Sequence, residues 1–148
     1  TVYLIKNEPS EALKSIRKII NDSQIEQKEE IVSNAFLLEI IIHIELENFD
    51  LLHYCVKNTQ RFLKKKNRHN PFQQILLQNA LKIANASNRF EQEEIWQEMH
   101  QKLMKHNMAQ VSFTDYFDFT IWAESKCTTR KYADILKQKS QAKTTQAA

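Results

Sequence analysis

Residues 31–46 read Ile-Val-Ser-Asn-Ala-Phe-Leu-Leu-Glu-Ile-Ile-Ile-His-Ile-Glu-Leu. Wound as a helix, this run is apolar nearly all the way round, and such a helix has to be covered on more than one side. Its core from Phe36 to Leu46 is too short and too charged to cross a bilayer, which takes about 20 apolar residues. The reading is therefore the inner helix of a stack, buried between neighbouring helices. The polar junction that follows, Asn48-Phe49-Asp50, ends it and starts a second helix.

Outward from this stretch the pattern recurs at a shift of 41 residues. Ile31 falls on Phe72 and Phe113, Ala35 on Leu76 and Phe117, and Ile40 on Leu81 and Trp122. A fourth column runs through Leu13, Tyr54, Ile95 and Leu136. The first three columns lie on one broad helical face. The junctions keep the same rhythm at Asn7-Glu8-Pro9, Asn48-Phe49-Asp50, Asn88-Arg89-Phe90 and Thr129-Arg130-Lys131. Each unit is thus a first helix, a short turn and a second helix. First helices are expected over 27–47, 71–86 and 112–127, with Tyr3-Leu4-Ile5 as the stub of another. Second helices are expected over 9–21, 50–66, 90–106 and 130–140. Pro9 suits a first helical turn, Asn70-Pro71 marks a break between units, and Asp50 and Asp115 are expected to cap helix N-termini or compensate their dipoles. The predicted fold is an all-α solenoid of three to four antiparallel helical hairpins, spanning residues 1–139. The polar segment 140–148 has too little apolar surface to offset the entropy of ordering and is expected to be a disordered tail.

Composition supports this class. The chain has 148 residues, 42% hydrophobic and 26% charged, with no glycine and two prolines. Glycine supplies the positive φ that tight hairpin turns, phosphate loops and dinucleotide-binding turns require, so its absence argues against tight-turned sheets and excludes those motifs. The two cysteines, Cys55 and Cys127, form no CxxC pair and are expected to be reduced, in or near the core. No signal peptide opens the chain, and a cytoplasmic location is expected. The first residue is Thr1 rather than Met, so the chain is expected to belong to something longer.

The segment Glu47-Asn48-Phe49-Asp50-Leu51-Leu52 resembles the turn into the second helix of a tetratricopeptide-like α-solenoid repeat, and the resemblance covers most of residues 3–140. The period of about 41 exceeds the standard 34 and falls nearer the HEAT range, and the usual glycine and alanine packing positions are not matched. The element Trp122-Ala123-Glu124-Ser125-Lys126 is also similar to a Trp-x-x-Ser-Lys element of uncharacterised bacterial helical-repeat proteins. That similarity implies a fold and no established activity; the chain is expected to be a binding scaffold rather than an enzyme.

The residues give catalysis and cofactors little support. His53 and Cys55 stand two positions apart and point away from each other on a helix. None of the five histidines has Glu three residues before it, as helical-bundle metal sites arrange; Asp50-Leu51-Leu52-His53 is the nearest approach. No HExxH occurs, and His43 reads as a hydrogen-bonded core or groove residue. Paired acids at Glu29-Glu30 and Glu93-Glu94 read as solvated faces. No catalytic residue, cofactor or metal ligand is predicted.

Charge is organised more sharply. The net charge of +3 hides a first third with ten acids against five bases and a segment, 51–90, with eight bases and no acid. Lys57, Arg61, Lys64 and Arg68 form one stripe on a helix, widened by Lys65, with Leu52, Cys55, Thr59 and Phe62 facing the other way. The stripe is the predicted partner-binding surface. An acidic protein or peptide is the expected partner, with a nucleic-acid backbone as the alternative, and the acidic helix around Glu91, Glu93, Glu94 and Glu98 is a possible internal counter-charge. Phe113, Tyr116, Phe117, Phe119 and Trp122 crowd five aromatics into ten residues, mostly for core packing, with a docking surface as the second reading.

Overall fold

A computed structural model describes Lys6 and residues 8–22, 29–66, 71–106 and 117–147. The described residues form seven α-helices: α1 Pro9–Ile20, α2 Glu29–Glu45, α3 Phe49–Lys65, α4 Pro71–Asn85, α5 Arg89–Lys105, α6 Phe119–Cys127 and α7 Tyr132–Ala147. The second helices begin at residues 9, 49, 89 and 132, close to the predicted rhythm. The stub at Tyr3-Leu4-Ile5 lies outside the described residues. Each helix packs against the next, and α2 also packs against α4. The hairpins are antiparallel: Lys66, just past the end of α3, reaches Glu29 at the start of α2 at 2.6 Å, and His53 early in α3 meets Asn85 at the end of α4 at 3.1 Å. No described helix is long and apolar enough to cross a membrane.

The core is centred on α2. Val32, Ala35, Leu37, Leu38, Ile40, Ile41, Ile42 and Ile44 are all buried, as an inner helix with no polar side requires. Burying such side chains fully contributes about 1.5–3 kcal/mol each. The Ala35–Leu76–Phe117 column is buried throughout, and Ile40 and Trp122 are buried while Leu81 is partly so. Two expected core positions are not. Ile31 is 43% exposed and stands in the first turn of α2. Tyr54 is 67% exposed; it points outward on α3, and the face that packs carries Leu52, Val56, Thr59 and Leu63. Phe113 lies outside the described residues.

Aromatic side chains join the last hairpin to the rest. Phe119 of α6 packs on Phe72 of α4 with ring centroids 4.3 Å apart, and Trp96 of α5 meets Trp122 edge-on at 5.1 Å. Phe117 stacks on Tyr132 at 5.0 Å. Phe117, Phe119 and Trp122 are therefore core and present no docking surface, while Phe113 and Tyr116 lie outside the described residues. α6 starts at Phe119, later than the predicted 112, because Asp118 caps it by accepting from the N–H groups of Thr120 and Ile121 at 2.9 and 3.0 Å. Asp115, the predicted cap, lies outside the described residues, and Asp50 sits inside the first turn of α3.

A stack of hairpins needs contacts only between neighbours. Here the chain also closes over a longer range. The Trp122 indole N–H donates to Glu45 Oε1 at 2.6 Å, and Lys126 pairs with the same oxygen at 2.5 Å. α6 thereby clasps the end of α2, and the Trp122–Lys126 element borders a cavity of about 210 Å³ with Ile41, Glu45 and Tyr132.

The turn after α2 replaces the missing glycine. Glu47 takes φ 55°, the one positive φ among the described residues. Its N–H bonds Ile44 O at 3.1 Å and that of Asn48 bonds His43 O at 2.9 Å, the two bonds of a Schellman turn.

The last helix runs past its expected end at residue 140. α7 continues to Ala147 instead of ending near Lys139. Gln, Ala and Lys are good helix formers, and the Ser140, Thr144 and Thr145 hydroxyls donate back to carbonyls one turn earlier. Packing does stop where expected, since residues 137–146 are all exposed.

Trp122→Ala is expected to destabilise the fold by about 3–5 kcal/mol in chemical denaturation; a loss below about 1 kcal/mol would contradict the core assignment. Glu47→Gly is expected to raise stability by roughly 0.5–1 kcal/mol, because a side chain in left-handed backbone carries a penalty glycine lacks. An unchanged or lowered melting temperature would show that Glu47 is unstrained.

Candidate functional site

α3 carries two functional candidates on different sides. On its outer face Lys57, Arg61, Lys64 and Lys65 are all exposed, and none has an ion pair among the described residues. Arg68, the fifth member of the stripe, lies outside the described residues. The helix is amphipathic as predicted: Leu52, Cys55 and Thr59 are buried, and half-buried Phe62 packs on Phe36 with centroids 5.0 Å apart. The buried Thr59 hydroxyl donates to Cys55 O at 2.9 Å, so no polar group is stranded there. The suggested internal counter-charge is engaged elsewhere. Glu98 bonds Lys102 and Lys82, which together hold its carboxyl below the usual range, and Glu93 lies 3.6 Å from Arg89.

Beside the stripe a cleft of about 330 Å³ runs between α3 and α4. Gln60, Gln74 and Gln78 line it with Leu63, Leu77 and Lys64. Primary amides offer both donors and acceptors, so this cleft can meet a peptide backbone while the cations meet its acids. Tyr54, exposed on the same outward side three residues from Lys57, adds one aromatic where its column predicts a packed residue.

The second candidate was not predicted. Glu39 and His43 stand one turn apart on α2, and Cys55 faces them from α3. One ligand atom from each lies within 4.8 Å of the others. They open into a cleft of about 300 Å³ that also touches Arg17, Leu51 and Tyr54. Arg17 Nε of α1 is 3.6 Å from Glu39 Oε1. His43 is wholly buried; its Nδ1 meets Asn48 Nδ2 at 3.3 Å, while its Nε2 has no hydrogen-bond partner.

Electrostatics follow from burial. Burial pushes the Glu39 carboxyl up, against the pull of Arg17. Burial, then Arg17, lowers the His43 imidazole, so the ring is neutral near pH 7, and its 4.0 Å approach to Glu39 is not an ion pair. The Cys55 thiol is pushed up to about 11, by burial first and the Glu39 charge second. Such a thiol is protonated and a poor nucleophile. His53, the histidine closest to Cys55 in sequence, instead meets Asn85.

No protein-family model matches the chain, and neither a curated protein nor a solved structure is significantly similar to it.

Both cysteines are free; Cys127 is half-buried where Cys55 is buried. At pH 8 a thiol with a pKa of about 11 is only about one part in a thousand thiolate. A chromogenic thiol reagent at that pH is expected to modify Cys127 first and Cys55 only on the unfolding timescale. Two thiols reacting at one fast rate in native protein would refute the buried, protonated Cys55.

Proposed function

We propose that the chain is a non-enzymatic scaffold, a tetratricopeptide-like helical-repeat unit, that takes an acidic protein or peptide against the outer faces of α3 and α4. One observation carries this reading: a row of exposed cations without ion pairs among the described residues runs beside an amide-lined cleft. A charged row of this kind steers association and sets orientation more than it supplies affinity. The cleft provides a place where a peptide backbone finds hydrogen-bonding partners. A free, protonated Cys55 and a half-buried free Cys127 fit a reducing compartment such as the cytoplasm.

A nucleic-acid backbone would use the same cations. Single-strand binders also need successive aromatic platforms for the bases. Tyr54 is one aromatic on that side, and Phe62 is turned inward onto Phe36. The balance of features therefore favours a peptide.

The test is Arg61→Glu combined with Lys64→Glu, read by fluorescence anisotropy with a labelled glutamate-rich peptide and a labelled single-stranded oligonucleotide at two salt concentrations. The expected outcome is peptide binding by the native protein, about tenfold weaker in the variant, with an unchanged melting temperature because both side chains are exposed. Tight oligonucleotide binding that falls steeply with salt would assign the surface to nucleic acid instead. A lowered melting temperature with no binding of either probe would make the stripe structural.

A further inference from the structure

We infer that Glu39, His43 Nε2 and Cys55 Sγ form a binding site for a zinc ion, with water from the adjoining cleft in the fourth position. The donor set is the first reason. Zinc is borderline-soft and takes imidazole, thiolate and carboxylate together, and sites with three protein ligands leave one position open to solvent. A hard cation such as magnesium or calcium would reject the sulfur.

Geometry is the second. The three atoms already lie within 4.8 Å of one another. Bonds of about 2.0–2.3 Å in a tetrahedron separate ligand atoms by roughly 3.3–3.7 Å, so closure takes a contraction of about 1 Å. Rotation of the Glu39 and Cys55 side chains is the movement that closure calls for. The ligands stand on two packed helices, and helices hold metal ligands more firmly than loops do.

The third reason is the state of His43. Its Nε2 is buried and has no hydrogen-bond partner, a condition that is unfavourable and uncommon. A metal ion at that point would satisfy it. Asn48 meets the opposite ring nitrogen through its amide N–H, so Nδ1 accepts and the ring proton sits on Nε2; zinc at Nε2 requires that proton to move to Nδ1 and the Asn48 amide to turn so that its oxygen accepts it. Among the described residues this is the one such grouping of three ligand types within reach of each other.

Arg17 is the internal competitor. Its guanidinium sits where a dication would feel it, 3.6 Å from Glu39. The Arg17 side chain is half exposed, so it can swing into solvent when zinc arrives. Binding displaces the Cys55 thiol proton to solvent, leaving a thiolate on the metal. Zinc would thus replace the Arg17–Glu39 contact with a bond network between α2 and α3.

The experiment uses the full chain, reduced and stripped with a chelator, then titrated with zinc by calorimetry and with cobalt(II) by absorption. Expected are one equivalent of zinc, a raised melting temperature, and a near-ultraviolet thiolate-to-cobalt charge-transfer band with tetrahedral visible bands. Cys55→Ser should abolish the charge-transfer band, and His43→Gln and Glu39→Gln should each weaken binding by about tenfold or more. Cys127→Ser should change nothing. Arg17→Gln, which alters no ligand and leaves the core intact, should tighten zinc severalfold, and it keeps the test decisive if a ligand variant fails to fold. Absence of saturable binding by the native chain overturns the site. So does a charge-transfer band removed by Cys127→Ser, or an affinity indifferent to Arg17→Gln.

Discussion

The burial of α2 is the constraint on which the rest of the molecule depends. A helix whose residues Ile40, Ile41 and Ile42 are wholly inaccessible to water has no side to give to solvent. It must be wrapped, and α1, α3, α4 and α6 each cover a part of it. The few polar groups carried inward with it then need service. Glu39 takes Arg17 from α1, His43 takes Asn48 from the following turn, and Glu45 takes Trp122 and Lys126 from α6. The chemistry of the interior is a consequence of that wrapping. Polar atoms placed on a fully covered helix meet partners from several elements, and a low local dielectric magnifies each meeting.

Much of this architecture was legible in the sequence, because hydrophobic periodicity reports directly on which side of a helix is covered. Helices α1 to α5 fell close to their expected bounds, and Ile40, Phe117 and Trp122 lie in the core as their columns indicated. The failures have physical reasons. A column aligns residues by helical phase, but burial needs a neighbour at that height, and Ile31 sits where α2 has only begun to pack. Tyr54 shares its column with Ile95, yet the phase of α3 turns it outward beside Lys57. α7 runs on through Ala147, past the expected end of that helix at residue 140, because Gln, Ala and Lys favour the helix where nothing packs on them.

The Glu39, His43 and Cys55 grouping was hidden for a different reason. Helical-bundle metal sites place Glu and His three apart, and the histidine nearest Cys55 in sequence is His53. The actual partners stand four apart on α2, and Cys55 joins them only through the register of the α2–α3 hairpin. That register depends on a three-residue turn in which Glu47 adopts left-handed backbone. One usable signal existed: Glu39 and His43 are polar residues one turn apart in a run that is otherwise almost wholly apolar. The charged stripe was easier to see, since exposed cations on one face of an amphipathic helix need no tertiary information to be recognised.

Most contacts in this molecule join helices adjacent in the chain, while the bond from Trp122 to Glu45 spans 77 residues. The two kinds of contact belong to different moments of folding. Hairpins closed by three-residue turns form early, since little chain entropy is lost in bringing their ends together, and domains dominated by such local contacts fold in microseconds to milliseconds. The clasp of α6 on α2 can form only once the intervening hairpins are in register, so it belongs to the late side of the barrier. In the native state the end of α7, exposed from residue 137 on, is the natural unit of partial opening, whereas α6 packs on α5 and holds Ile121, Trp122 and Ala123 in the core. Amide hydrogens at the end of α7 would then exchange through a lower-energy route than those of α2, whose release requires the whole molecule to come apart.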